Sequence, residues 1–333
     1  MSTPAATCLP PPIACERLAD LLLRWGGHYV GLATDPVPPR LAQLPNGRVF
    51  GSGTVLSPDG RAIASDVSSD FGGPAESHWL LSFRQIRPPL HLPGATAVVA
   101  VNLGTRYCHW LLEELPRLLA LERTEGQGVI VNQNAPFIRQ AFELGGFPGP
   151  IWTVGRHTHF ECEQLLIPEL IGRAGHPTHL GVNLLTEFTN PWRGTVSTWG
   201  ERLYISREKA GRRRVSNEAE LRGQLEARGF RTLRLEELSW REQINAFAHA
   251  REVVAPHGAA LANLVFCRPG TRVVEFFHRA YVNPCFGRLA ELANVDYIPV
   301  IPEGPEAIGH EPRGNRLDLH ADVPAILAGL RKN

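Results

Sequence analysis

A rhythm in the sequence constrains this chain more than any single motif. From residue 97 onward, short apolar runs alternate with stretches whose apolar residues recur at helical spacing. Ala97–Val101, Val129–Val131, Ile151–Val154 and Gln164–Ile167 read as buried strands, with helices predicted over Cys108–Leu121 and Pro136–Leu144. After a break, strands over Arg202–Ser206, Phe230–Leu233, Glu252–Ala255, Arg272–Phe276 and Tyr297–Val300 alternate with four further helices. Those helices are read over Asn217–Arg228, Trp240–His249, Ala259–Phe266 and Asn283–Ala293. Apolar strands separated by helices call for a parallel sheet covered on both faces. The fold class expected is α/β, with two Rossmann-like domains facing each other across a cleft.

The break, residues 172–200, is rich in Gly, Pro, Asn and Thr and reads as a connection between domains. The domains are therefore set at 1–185 and 186–320, and a length of 333 residues suits two cores. The tail, 321–333, holds a predicted helix at Val323–Leu330, expected to pack back on the first domain. Residues 1–95 are the least legible, with a helix read over Ile13–Trp25 and short strands at Arg48–Leu56 and Gly60–Ile63.

Charge removes several classes of partner. With 34 basic against 33 acidic residues the net charge is +1, which gives no global attraction to nucleic acid or an anionic membrane. All basic residues but Lys209 and Lys332 are arginines, so an anion should be met by guanidinium forks or backbone N–H groups. No window approaches 18 uninterrupted apolar residues, and the opening MSTPAATCLPPP lacks the apolar stretch of a secretory leader. Six cysteines without CxxC spacing read as reduced thiols, not as a disulfide framework or zinc site. The expected compartment is the cytoplasm.

Three segments could carry chemistry. In Arg251–Phe277 a buried strand ends at Pro256, and His257-Gly258-Ala259-Ala260 opens a helix. Small residues there admit a ligand to N–H groups that lack helical partners, which makes a site for an anion such as a diphosphate; the plain alternative is a tight turn with a capping histidine. GxGxxG, GxxxxGK[ST] and GxSxG are all absent, which weakens nucleotide-hydrolysis and dehydrogenase readings. Glu275, ending the next strand, either accepts hydrogen bonds from a ribose diol or is a solvated strand-end carboxylate. Arg207, at a strand end, and Arg213 before Asn217 form a basic loop that is either a phosphate ligand set or merely solvated.

In the first half, His109 and Glu113 stand i to i+4 on one helix face, with Glu114 beside them. A carboxylate there either orients the imidazole as a base or is the base itself; otherwise these are helix-end surface residues. Pro116 must kink or restart that helix. His157, His159, His176 and His179 form HxH and HxxH pairs with no matching carboxylate or cysteine, and are not read as a metal site.

In combination and order, His109-Trp110 to Glu114-Leu115-Pro116-Arg117, Tyr204-Ile205-Ser206-Arg207 to Asn217-Glu218, and Pro256-His257-Gly258-Ala259 to Asn263 with Glu275 resemble glycosyltransferase family 61. The resemblance spans about 102–300. It implies a GT-B architecture and inverting transfer from a nucleotide sugar, usually UDP-linked, to a saccharide or glycolipid acceptor without an obligatory metal. No DxD stands in the sheet region, and Asp318 and Asp322 are four apart. Bacterial relatives imply capsule or other surface polysaccharide synthesis, with peripheral association to membrane-bound assembly machinery. The implied donor residues are Arg207, Arg213, Asn217, His257, Gly258, Ala259, Ala260, Asn263 and Glu275, facing His109, Glu113 and Glu114 as catalytic candidates, with His109 preferred as base. No cofactor beyond the co-substrate is implied. Two alternatives share the frame: a nucleotide-sugar hydrolase or epimerase, and a non-catalytic nucleotide-sugar-binding partner in polysaccharide assembly.

Overall fold

Apolar strands escape water by pairing in sheets, and here they form two. The structure, a computed structural model, describes residues 8–30, 40–68, 75–121, 126–132, 135–147, 149–173, 176–304, 309 and 316–331. The chain divides into two compact units, Met1–Gly175 and His176–Asn333.

The first unit contains β1 (Ala14–Glu16), α1 (Leu18–Trp25), β2 (His28–Val30), β3 (Leu41–Pro45), β4 (Arg48–Phe50), β5 (Thr54–Leu56), β6 (Ala62–Ala64) and β7 (Leu90–Val98). It continues through α2 (Tyr107–His109), α3 (Leu115–Leu119), β8 (Gly128–Val131), α4 (Pro136–Gly145), β9 (Ile151–Thr153) and β10 (His159–Pro168). The strands order as β1-β6-β5-β4-β10-β7-β8-β9, and β3 pairs with both β2 and β10. Only part of this sheet has the all-parallel form expected. Strands β10, β7, β8 and β9 run parallel, but β3 and β4 are antiparallel to β10, so the sheet is mixed. The cause lies in the short strands before residue 65, which turn back too quickly for helical crossovers. Ile13–Trp25, read as one helix, splits: Ala14–Glu16 pairs with Ala62–Ala64, and the helix begins at Leu18. The core gathers Leu21, Leu44, Val98, Ile130 and Leu165, all fully buried.

In the second unit come α5 (His179–Thr189), β11 (Arg202–Ile205), α6 (Glu218–Glu226), β12 (Arg231–Leu233), α7 (Trp240–His249), β13 (Glu252–Pro256), β14 (Arg272–Phe276), α8 (Cys285–Leu292), β15 (Asp296–Val300) and α9 (Val323–Ala328). All five strands are parallel, in the order β12-β11-β13-β14-β15. The chain moves outward one way from β11 to β12 and then the other way from β13 to β15, so the order reverses between β11 and β13. At such a switch point the loops leave in opposite directions and open a crevice at the strands' carboxyl ends.

Two expectations about boundaries change. The stretch read as a connection holds α5, whose Thr178 side chain accepts from Gly181 N–H as an N-cap, and the second unit starts at His176, not 186. The tail helix does not leave for the first unit: Leu319, Val323 and Ile326 are buried in one core with Tyr204, Val254 and Val274.

Candidate functional site

In the second unit, Arg207 follows β11 and His257-Gly258 follow β13, so the switch point brings the two predicted segments together. Arg207 is held from behind: its Nε donates to the Arg213 carbonyl at 3.0 Å and one terminal nitrogen to the Arg212 carbonyl at 3.0 Å. Its other terminal nitrogen lies where a β-carbon on Gly258 would sit, so only glycine lets the guanidinium approach the turn. Burial, and then the charges of Arg213 and Arg212, lower its proton affinity from the usual arginine value to about 10. A guanidinium depressed by neighbouring cations is one that an anion would relieve.

The turn differs from expectation in one respect. Ala259–Phe266 is a 3-10 helix, with Leu261 N–H donating to the Gly258 carbonyl at 2.9 Å, where an α-helix was predicted. Tighter winding leaves the N–H groups of Ala259 and Ala260, both half-buried, ahead of the first internal bond. Arg213 adopts left-handed backbone (φ 54°) and places its guanidinium 5.7 Å from the centre of the Tyr281 ring.

Three residues assigned to the donor have their side chains engaged within the unit. Glu275 is wholly buried: Oε1 is 2.6 Å from His257 Nδ1, and Oε2 accepts from the Tyr297 hydroxyl. A carboxylate so enclosed orients the His257 ring, which stacks on Phe277 at 5.2 Å. Asn263 is also wholly buried and donates to Gln243 Oε1 at 3.1 Å, inside the unit. Asn217 acts as a strap. Its Nδ2 donates to the Ala321 carbonyl and its Oδ1 accepts from Ala321 N–H, at 3.0 and 2.8 Å. Tyr297 escaped the sequence reading because it is 22 residues from Glu275. Its strand partner is Val273, two residues before Glu275 on the same face, a relation fixed only by sheet register.

In the first unit the predicted helix is interrupted. α2 and α3 are joined by a π-helical turn, Trp110–Glu114, in which Leu115 N–H donates to the Trp110 carbonyl five residues back. Pro116 has no N–H to give, and the widened turn is how the chain accommodates it. The turn keeps His109 and Glu113 together, Nδ1 to Oε1 at 2.6 Å, with both side chains mostly buried. Burial alone would lower the imidazole's proton affinity, but hydrogen bonds with Cys108 and Glu113 outweigh it and raise the value well above normal.

Glu114 and Arg117 do different work from His109. Glu114 accepts from Asn132 N–H at 3.0 Å and from Asn132 Nδ2 at 2.6 Å, and burial raises its carboxyl to about 7. Arg117, 1% exposed, donates to the carbonyls of Val99, Ala100 and Pro168. These side chains tie the helix to the ends of β7, β8 and β10. Gly104 is required beside them, since a β-carbon there would collide with Glu114 and Asn132.

The histidine pairs do not assemble into a ligand set. His159 is buried with Nδ1 at 2.6 Å from the Arg87 carbonyl, and His157 lies against the Phe83 ring. Among the described residues no three His, Cys, Asp or Glu side chains converge as a metal would need, and no helix is long and apolar enough to cross a membrane.

A comparison with curated proteins found no match. The family described as Glycosyltransferase 61 matches residues 107–274, from α2 through the π turn, the arginine loop and the His257-Gly258 turn to Val274. That match covers half of the chain and includes His109, Arg207 and the His257-Gly258 turn, and it makes the chain a member of glycosyltransferase family 61.

Proposed function

We propose that this glycosyltransferase takes a sugar from a UDP-linked donor and passes it, with inversion, to a saccharide or glycolipid hydroxyl. The observation that carries the reading is the crevice between the ends of β11 and β13, where Arg207 meets Gly258. A diphosphate there would gain a guanidinium whose charge is otherwise opposed by burial and then by Arg213 and Arg212, together with the N–H groups of Ala259 and Ala260. Those groups would stabilise the leaving diphosphate without a cation, so the reaction is proposed to be metal-independent. His257 is held by Glu275 with its Nδ1 engaged, leaving Nε2 for a phosphoryl oxygen.

Inversion by a single displacement needs a base for the acceptor hydroxyl. We assign it to His109, with Glu113 fixing its tautomer through Nδ1. The two α/β units fit a GT-B enzyme, and the product proposed is surface polysaccharide such as capsule, made in the cytoplasm beside membrane-bound machinery.

Calorimetry with UDP tests the donor site. Arg207→Ala should weaken binding by about 1.5–3 kcal/mol, the range for a hydrogen bond to a charged group; unchanged affinity in a folded variant removes Arg207 from the site. In turnover assays, UDP release should require acceptor and survive excess EDTA. Release of free sugar without acceptor would make the protein a hydrolase, an isomerised donor an epimerase, and tight UDP binding with no turnover a binding partner.

A further inference from the structure

At the end of the second sheet away from the crevice lies a cavity of about 180 Å³. It opens between the first residues of β11 and β13 and the end of the tail. Arg202, Arg228 and Arg331 line it together with one carboxylate, Glu252. Phe230, Leu327 and Leu330 give it an apolar side. None of these residues takes part in the donor site or in the proposed transfer.

The carboxylate is already satisfied. Glu252 is 3% exposed, with Arg202 Nε 3.0 Å from its Oε2 and the backbone N–H of Arg331 donating to its Oε1 at 2.9 Å. Arg202 also donates to the Arg228 carbonyl at 2.8 Å, which holds the end of α6 against the start of β11. The other two guanidinium groups meet no carboxylate among the described residues. Arg228 donates to the Gln224 carbonyl at 2.7 Å, and Arg331 donates to the Gly270 carbonyl. Within the lining, three permanent positive charges less one negative charge leave an excess of two. A dianion balances that excess. A phosphate monoester carries about −2 at neutral pH, and its oxygens suit the forked N–H donors of arginine.

Size and apolar lining narrow the ligand further. The volume lies below the roughly 300–1,000 Å³ of drug-sized sites, so the cavity takes a small molecule and not a nucleotide sugar. Leu327 and Leu330 are half-buried and pack on the core of the second unit. An apolar group bound against them would cover surface that they leave to solvent. Leu327, Leu330 and Arg331 all belong to the tail, whereas Arg202, Arg228 and Glu252 belong to the sheet and the end of α6. A ligand held between the two sets binds only the docked tail, and so stabilises docking by mass action.

We infer that this cavity is a second ligand site, for a small phosphate monoester bearing a short apolar group, at the opposite end of the sheet from the proposed donor crevice. Phenyl phosphate, inorganic phosphate and benzoate serve as probes of the full chain by calorimetry. Phenyl phosphate should bind at least tenfold more tightly than either of the others, since phosphate lacks the apolar part and benzoate the second charge. It should also raise the midpoint of thermal unfolding. Arg228→Ala and Arg331→Ala, both at exposed positions, should each weaken phenyl phosphate at least fivefold. Combined, they should remove the thermal shift and leave UDP affinity unchanged. In Arg207→Ala protein, whose crevice is disabled, the phenyl phosphate affinity should persist. Wild-type affinity in the double variant overturns the inference, as does loss of binding in Arg207→Ala alone, which would assign the anion to the crevice. Equal affinities for phenyl phosphate and phosphate overturn it by leaving an adventitious ion only. Benzoate binding as tightly as phenyl phosphate would make the site one for carboxylates, and an absence of binding by phenyl phosphate removes the site altogether.

Discussion

A buried imidazole against a carboxylate behaves differently from a solvated one, and His109 shows the consequence for rate. Its hydrogen bonds with Cys108 and Glu113 raise its proton affinity despite burial, so the neutral, proton-accepting form gains population only as pH climbs above the usual imidazole range. If His109 is the base, kcat/KM should still be rising at pH 8, and His109→Ala should cut kcat by roughly 10²–10⁴ with UDP affinity intact. A profile that levels off by pH 7, or a variant keeping most of its kcat, gives the role to Glu113. The sign for stability is opposite: the raised value means the pair stabilises the fold below the unfolded imidazole's range and loses that contribution as pH rises through the folded one. Arg117 answers to another measurement. Arg117→Leu would leave the carbonyls of Val99, Ala100 and Pro168 without their donor. At about 1–3 kcal/mol for a buried group left unsatisfied, denaturant unfolding should show a loss of about 3 kcal/mol or more. A loss under 1 kcal/mol would mean that water replaces the guanidinium.

Elements place the residues that rates report on, and here the turns matter more than the helices. At the His257 turn, Gly258→Val would force a branched side chain into Arg207; UDP binding should fall below detection by calorimetry while thermal unfolding stays cooperative. Retained affinity would mean that the arginine loop can retreat. How much of this was legible depended on range along the chain. The strands Arg202–Ile205, Glu252–Pro256 and Arg272–Phe276 announce themselves as apolar runs, because each is buried on both faces. The juxtaposition of Arg207 with Gly258 follows motif order, but the burial of Glu275 and Asn263 does not, since a strand-end or helix-start position does not reveal which way a side chain is enclosed. α5 was hidden by the Gly, Pro and Asn around it, although Val182, Leu185 and Thr189 carry an i, i+3, i+7 stripe. The mixed sheet of the first unit was beyond reach for a different reason: strands of three residues are too short for a period-two pattern to emerge.

At the scale of the molecule, the two units differ in how they use chain order. The first is assembled from strands in a contiguous stretch ending at β10. The second recruits its last helix: Leu319, Val323 and Ile326 fill the same core as Tyr204 and Val274, and Arg331 N–H donates to Glu252 Oε1 at 2.9 Å. Removing residues 316–333 should therefore destabilise the second unit by several kcal/mol, on the order of 2–5 for each large apolar side chain lost from the core. Limited proteolysis would show it as early cleavage after residue 176, with the first unit intact; equal protection of both units would mean that the tail is dispensable. This placement bears on synthesis. Until residues 321–328 have left the ribosome, the first unit has every strand it needs, but the second lacks both its closing helix and the Ala321 backbone that Asn217 holds. The unit proposed to take the nucleotide thus becomes complete after the first, and a chain stopped before residue 321 would lack the tie between Asn217 and Ala321.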